Sequence, residues 1–174
     1  MDTELYFYLL AIFLICLAIR TGYELLKRAG KVEPENKILF VMILATMCFL
    51  WVSWFNMCPV DPSRRSLPAP AEWIGLGAVI VGMVLAVGAL VQLQGVENIK
   101  HLVTTGFFAR LRHPMYAGFV LWILGWATYH GAIVSLICGL LGIANIFYWR
   151  RLEEEKLESA YGETYRNYRL HTWF

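Results

Sequence analysis

Residues 115–149 read MYAGFVLWILGWATYHGAIVSLICGLLGIANIFYW, a run without a single Lys, Arg, Asp or Glu. A helix crosses the hydrocarbon of a bilayer with about 20 mostly apolar residues. The run is too long for one crossing and long enough for two short, closely paired helices. Tyr129, His130 and Gly131 form its only weakly polar break, which predicts helices over 115–129 and 131–149. Moving outward, Trp73–Gln94 and Ile38–Cys58 are also uncharged or nearly so. Leu5–Ile19 is shorter, and Thr21–Leu26 extends it through an interface. The sequence therefore predicts an all-α integral membrane protein with about five transmembrane helices (5–26, 38–58, 73–94, 115–129 and 131–149), in one membrane domain over 1–174. A loop over 95–114 and an amphipathic tail over 150–174 complete it.

Composition supports this. Of the 174 residues, 59% are hydrophobic and 16% charged, against roughly 45–50% and 25% in soluble domains. A secretory signal is the competing reading of Leu5–Ile19, but such signals carry a basic start and a small-residue cleavage site. Asp2 and Glu4 stand there instead, so a retained helix is expected. Thirteen of the 15 Lys and Arg fall in 20–37, 95–114 and 150–174, and only Arg64 and Arg65 lie on the other side. Positive loops stay cytoplasmic, which puts the N-terminus outside and the tail in the cytosol. The net charge of +2 adds little to this, and no nucleic-acid partner is expected. Of the four cysteines, Cys16, Cys48 and Cys138 lie within apolar spans and Cys58 at a span end, as small packing residues.

Between the spans, Pro59–Glu72 holds four prolines and reads as an irregular connection. Glycines at 75, 82, 88, 118, 125 and 139 suit close helix approach. Gly75-Leu-Gly77 is no dinucleotide fingerprint, since no strand precedes it. In the tail, Leu157, Tyr161, Tyr165 and Tyr168 recur at helical spacing, with Gly162 placed to end one helix and start another. Polar side chains concentrate in His101–Tyr116 and in Glu153-Glu154-Glu155. A hairpin of the last two spans would bring both segments to one membrane face. Arg110 and Arg112 also suit simple interface anchoring, and the three glutamates a solvated face. Pro114 holds His113 extended at a helix start. Two histidines twelve residues apart, His101 and His113, make a poor metal set, and no metal is expected.

Three motifs, His101-Leu-Val-Thr-Thr-Gly106, Arg112-His-Pro-Met-Tyr116 and Glu153-Glu154-x-x-Leu157-x-x-x-Tyr161-Gly162-x-x-Tyr165-x-x-Tyr168, occur here in that order over roughly the last 80 residues. In these the chain resembles the isoprenylcysteine carboxyl methyltransferase family, with its relatives among phospholipid methyltransferases. The resemblance implies S-adenosylmethionine as cofactor and a lipid or amphiphilic acceptor reached from the membrane. It assigns His101, Leu102, Val103, Gly106, His113, Tyr116 and Glu154 to the cofactor, and Arg112 and Glu153 to the reacting region. The chemistry suits this: a carboxylate for the cofactor's ammonium or diol, His113 and backbone N–H groups for its carboxylate, an aromatic face for its sulfonium. A carboxylate acceptor needs no base and Arg112 would position it, whereas an amine would pass its proton to an acid such as Glu153. Two departures stand out. Gly106-Phe107-Phe108 replaces a common Gly-Pro-Tyr, and the tail stops at Phe174, which leaves the substrate-side lid open. The short length resembles a compact bacterial member, expected in an inner membrane. Three alternatives remain: a phospholipid N-methyltransferase, a nicotinamide-dependent membrane reductase, and a non-catalytic membrane scaffold.

Overall fold

A computed structural model describes residues 2–32, 36–93 and 102–174. It contains six α-helices among these residues: α1 (Asp2–Arg28), α2 (Lys37–Met57), α3 (Ala69–Leu93), α4 (Pro114–His130), α5 (Ile133–Tyr161) and α6 (Glu163–Leu170). Short 3₁₀ turns sit at Cys58–Val60 and Gly106–Ala109. Among the described residues the protein is all-α, with four helices long and apolar enough to cross a membrane: Thr3–Arg28, Lys37–Val60, Ala69–Leu93 and Ile133–Tyr161. α4 has 17 residues, about 25 Å at 1.5 Å per residue. It is apolar and uncharged but shorter than these four.

Three boundaries differ from the sequence reading, each for a local reason. α1 overruns the expected 5–26 by a few residues at each end. It runs to Arg28 because Arg20, Glu24 and Lys27, at helical spacing, pair along one face. α3 begins at Ala69, inside the segment expected to be irregular, since Pro70 occupies a first-turn position where its missing N–H costs nothing. α5 passes straight from apolar to charged sequence and ends only where Gly162, at φ +51°, breaks the geometry. The segment from Arg150 to Tyr161 is thus the end of a long helix.

The last two apolar helices were expected to pair mainly with each other. Instead α4 makes its broadest interface with α3, and glycine is the reason. A Cβ on Gly82 would stand 2.7 Å from the Gly118 carbonyl oxygen, and one on Gly118 would stand 2.5 Å from that of Gly82. Gly75 and Gly125 face each other in the same way, at 2.7 and 2.6 Å. The two backbones touch at two points seven residues apart on each helix, which no larger residue would permit. An aromatic core fills the space beside this seam: Trp51 lies against Phe119 and edge-on to Trp122, and Trp54 packs on Phe13.

At the end of the molecule away from Arg112, Asp61 is 5% exposed and caps α5 from a distance in sequence. Its carboxylate accepts from the Ser135 amide and hydroxyl, each at 2.6 Å, and from the Ser63 amide at 2.7 Å. It thereby satisfies first-turn donors of α5 and ties the Cys58–Val60 turn to that helix. At the α4–α5 turn, Gly131 takes the left-handed conformation, φ +59°, and caps α4.

Candidate functional site

The polar face forms where the start of α4 meets the charged end of α5. Pro114 opens α4, so His113 sits at its N-cap position with its ring 3% exposed. Glu153 and Glu154 are adjacent on α5 and therefore diverge around the helix. Both reach His113: Glu153 Oε2 lies 3.8 Å from its Nδ1, and Glu154 Oε1 lies 3.3 Å from its Nε2. The second approach is close without being aligned as a hydrogen bond, which leaves Nε2 buried and unbonded. Tyr116, one turn into α4, stacks on His113 at 5.6 Å and interacts with Glu153.

Glu154 is the hub. Arg112 Nε donates to it at 3.2 Å, His113 Nε2 lies beside it, and Arg150 Nε is 3.9 Å away. Arg150, one turn earlier on α5, also lies over the rings of Phe147 and Phe174. Tyr165 of α6 is fully buried and lies in the field of Glu154, Arg112 and Glu153. Its burial, with Glu154's negative charge, pushes the phenol far above its ordinary range, so it stays a donor. Three buried polar atoms around Glu154 have no hydrogen-bond partner: His113 Nε2, Arg150 Nε and Tyr165 Oη. Buried polar groups are normally satisfied. Orphans gathered about one carboxylate fit a polar ligand that brings both donors and acceptors.

The C-terminal segment encloses this face. Arg112 Nη1 donates to the Thr172 and Arg169 carbonyls at 2.8 and 3.2 Å. The Arg112 amide donates to Trp173 O, and the Trp173 amide to Arg110 O. Tyr168 donates to the Phe108 carbonyl at 2.6 Å, and burial moves its phenol up to about 12. α6 is held to the end of α5 by Arg166 and Arg169, which both pair with Glu158. These last pairs are half exposed and individually weak.

Of the residues expected from the sequence, Arg112, His113, Tyr116, Glu153 and Glu154 come together here. Leu102, Val103 and Gly106 do not join them by any hydrogen bond or ion pair among the described residues. Gly106, at φ +57°, is held on α3 instead: Gln92 donates to Thr105 O at 2.6 Å and accepts from the Phe107 amide at 3.0 Å. Phe107 lies over Gly88. His101 lies outside the described residues. Sequence reasoning missed Arg150, Tyr165 and Gln92 as site residues. The signals were present: Arg150 stands four before Glu154, and Gln92 is a lone amide near the end of an apolar run.

The sequence model of the family described as phospholipid methyltransferase matches residues 70–164, more than half of the chain. The chain belongs to the phospholipid methyltransferase family. The match starts at α3 and ends at α6, and so contains the α3–α4 seam, Arg112-His113-Pro114 and Glu153-Glu154. Two curated proteins are similar over much the same length of chain. One is a protein-S-isoprenylcysteine O-methyltransferase of Schizosaccharomyces pombe, 36% identical over 104 residues, 54% of this chain and 44% of that protein. The other is a methanethiol S-methyltransferase of Pseudomonas deceptionensis, 31% identical over 107 residues, 55% of this chain and 39% of that protein. The matches span less than half the length of these relatives. No solved structure matches the chain. The resemblance read from the motifs is borne out by this membership.

Proposed function

We propose that this protein is an S-adenosylmethionine-dependent methyltransferase of the membrane, acting on a lipidic or amphiphilic acceptor. The observation that carries the proposal is the convergence of Arg112, His113 and Arg150 on Glu154, with three buried polar atoms unsatisfied around it. Family membership and the named activities of the relatives support the reaction class.

The cofactor supplies an electrophilic methyl group on a sulfonium. Glu154 would hold its ammonium or ribose diol, and His113, Arg150 and Tyr165 would donate to its carboxylate. Tyr116 presents a π face to positive charge. The C-terminal segment, tied down through Arg112 and Tyr168, excludes water from this face, which strengthens each polar contact inside. Glu153, more open than Glu154 with a side chain 38% exposed, faces the acceptor side. It would take the proton of an amine or thiol acceptor, and Arg112 would steer a carboxylate. Leu102, Val103 and Gly106, with His101, would form the other wall of the cofactor site. In this reading α4 completes a fifth crossing beside α3 and forms a hairpin with α5. The N-terminus is outside, the C-terminus is cytosolic, and the protein resides in a bacterial inner membrane.

Titration calorimetry of the purified full chain with S-adenosylhomocysteine tests this. Saturable binding by wild type is expected, weakened by about tenfold or more in Glu154→Gln and His113→Ala, since a hydrogen bond to a charged group contributes roughly 1.5–3 kcal/mol. A folded wild-type protein that does not bind it would overturn the proposal.

A further inference from the structure

The region matched by the family begins at residue 70, so α1 lies outside it, yet α1 brings a buried ion pair against α5. Arg20 and Glu24 are each 9% exposed and pair one turn apart. Lys27 Nζ stands 3.9 Å from the same carboxylate. The guanidinium of Arg20 lies 5.5 Å from the Tyr23 ring centre and 5.3 Å from that of Trp149. Trp149 sits one turn before Glu153 on α5, so the two share a face. Thr21 fixes the contact, donating to Asn145 at 2.7 Å and accepting from Trp149 Nε1 at 3.1 Å. Arg28 reaches Glu155 at 3.2 Å. Arg20 is thereby placed on the Glu153 side of the site, and Tyr116 lies in the fields of Arg20, Glu24 and Glu153 together.

Stability does not account for this pair. A buried ion pair roughly breaks even against apolar residues of the same volume, and ionisable groups inside membrane helices are costly and tend to serve function. The planar fork of arginine matches a carboxylate, while the rings of Tyr23 and Trp149 hold it in place. We propose that Arg20 is an anion-binding, specificity-determining residue on the acceptor side. It receives the carboxylate of an amphiphile, and Glu24 occupies that position in the free protein. The inference rests on the reading of this face as the methyl-transfer site.

The test uses the full chain in lipid nanodiscs, with laurate and methyl laurate as probes that differ by one charge, measured by calorimetry. Wild type is expected to bind laurate about tenfold more tightly than the ester. In Arg20→Gln that ratio falls toward one while S-adenosylhomocysteine affinity is unchanged. In Glu24→Gln laurate binds more tightly, because the internal competitor has lost its charge. A merely structural pair predicts the opposite, weaker binding of every ligand in both variants. Should Arg20→Gln fail to fold, Glu24→Gln and Arg20→Lys decide, the latter with an intermediate ratio. No laurate preference in wild type, an unchanged ratio in the Arg20 variants, or weaker laurate binding in Glu24→Gln would overturn the proposal. Loss of S-adenosylhomocysteine binding in wild type would instead sink the methyltransferase reading, and the laurate ratio would still report on Arg20.

Discussion

Adding one methyl group to Gly118 should destabilise the protein, while the same change at Gly77 should not. A Cβ at Gly118 would meet the Gly82 carbonyl oxygen at 2.5 Å, the Ala86 nitrogen at 3.0 Å and the Ala86 Cβ at 3.1 Å. Ordinary contact begins near 3.4 Å, so α3 and α4 must part locally by about 0.9 Å. The obstructing atoms are largely backbone and cannot rotate away. Overpacking of this kind costs about 1–3 kcal/mol, and the better helix propensity of alanine returns about 0.5–1 kcal/mol. The net loss for Gly118→Ala then lies between about 0 and 2.5 kcal/mol, toward the upper end because the closest clash is with backbone. Gly77 lies on α3 with nothing within 4 Å of its Cβ position, so Gly77→Ala keeps only the favourable part. The double variant Gly82→Ala with Gly118→Ala should lose less than the sum, because one parting of the helices relieves both clashes. Reversible unfolding in mixed detergent micelles measures wild type, Gly77→Ala, Gly82→Ala, Gly118→Ala and the double variant. Equal stability of Gly118→Ala and Gly77→Ala would refute the seam, and additive losses would refute the shared displacement. Gly118 is two residues beyond Tyr116, so Gly118→Ala should also weaken S-adenosylhomocysteine binding, and Gly77→Ala should not.

Asp61→Ala removes three hydrogen bonds to a buried carboxylate and should destabilise by about 3 kcal/mol. Its cofactor affinity should stay near wild type, since Asp61 lies away from Glu154; calorimetry and unfolding together check both. Tyr168→Phe leaves the Phe108 carbonyl without its donor and should cost about 1 kcal/mol in the same unfolding measurement. Because burial raises the Tyr168 phenol from 10.0 to about 12, the folded state favours its neutral form. That contribution is full below pH ~10 and is lost as pH rises toward about 12, so the stability difference between wild type and Tyr168→Phe should shrink over that range. Gln92→Ala frees the 105–107 backbone from α3 and should speed amide exchange at Phe107 and weaken S-adenosylhomocysteine binding about threefold.

The helical class was legible because it depends on composition alone: uncharged runs of span length leave the backbone no hydrogen-bonding alternative to a helix in lipid. The glycines too announced close approach, though not between which helices. α4 was expected to pair chiefly with α5, its neighbour in sequence, and it seats most broadly on α3 because Gly82 faces Gly118 and Gly75 faces Gly125. That choice depends on register between two helices, which no single helix encodes. Among candidate site residues, Arg112, His113, Tyr116, Glu153 and Glu154 were named from ordered motifs, whose spacing records what must meet. Arg150 and the Arg20–Glu24 pair were not named as site residues, and Tyr165 was read only as part of the tail's stripe and motif. Arg20 read as one more positive charge beside a span, and only the packing of α1 on Trp149 buries it.

By itself, then, the sequence determined that the chain is helical, apolar enough for a membrane, and equipped at two separated segments with the polar groups of one candidate site. Those properties follow from local composition and from motif spacing along the chain. The tertiary structure alone decided which helices touch, which charges are buried and which polar atoms lack partners. These depend on distances between residues far apart in sequence, such as the 3.2 Å from Arg112 to Glu154, and they exist only once the helices have packed.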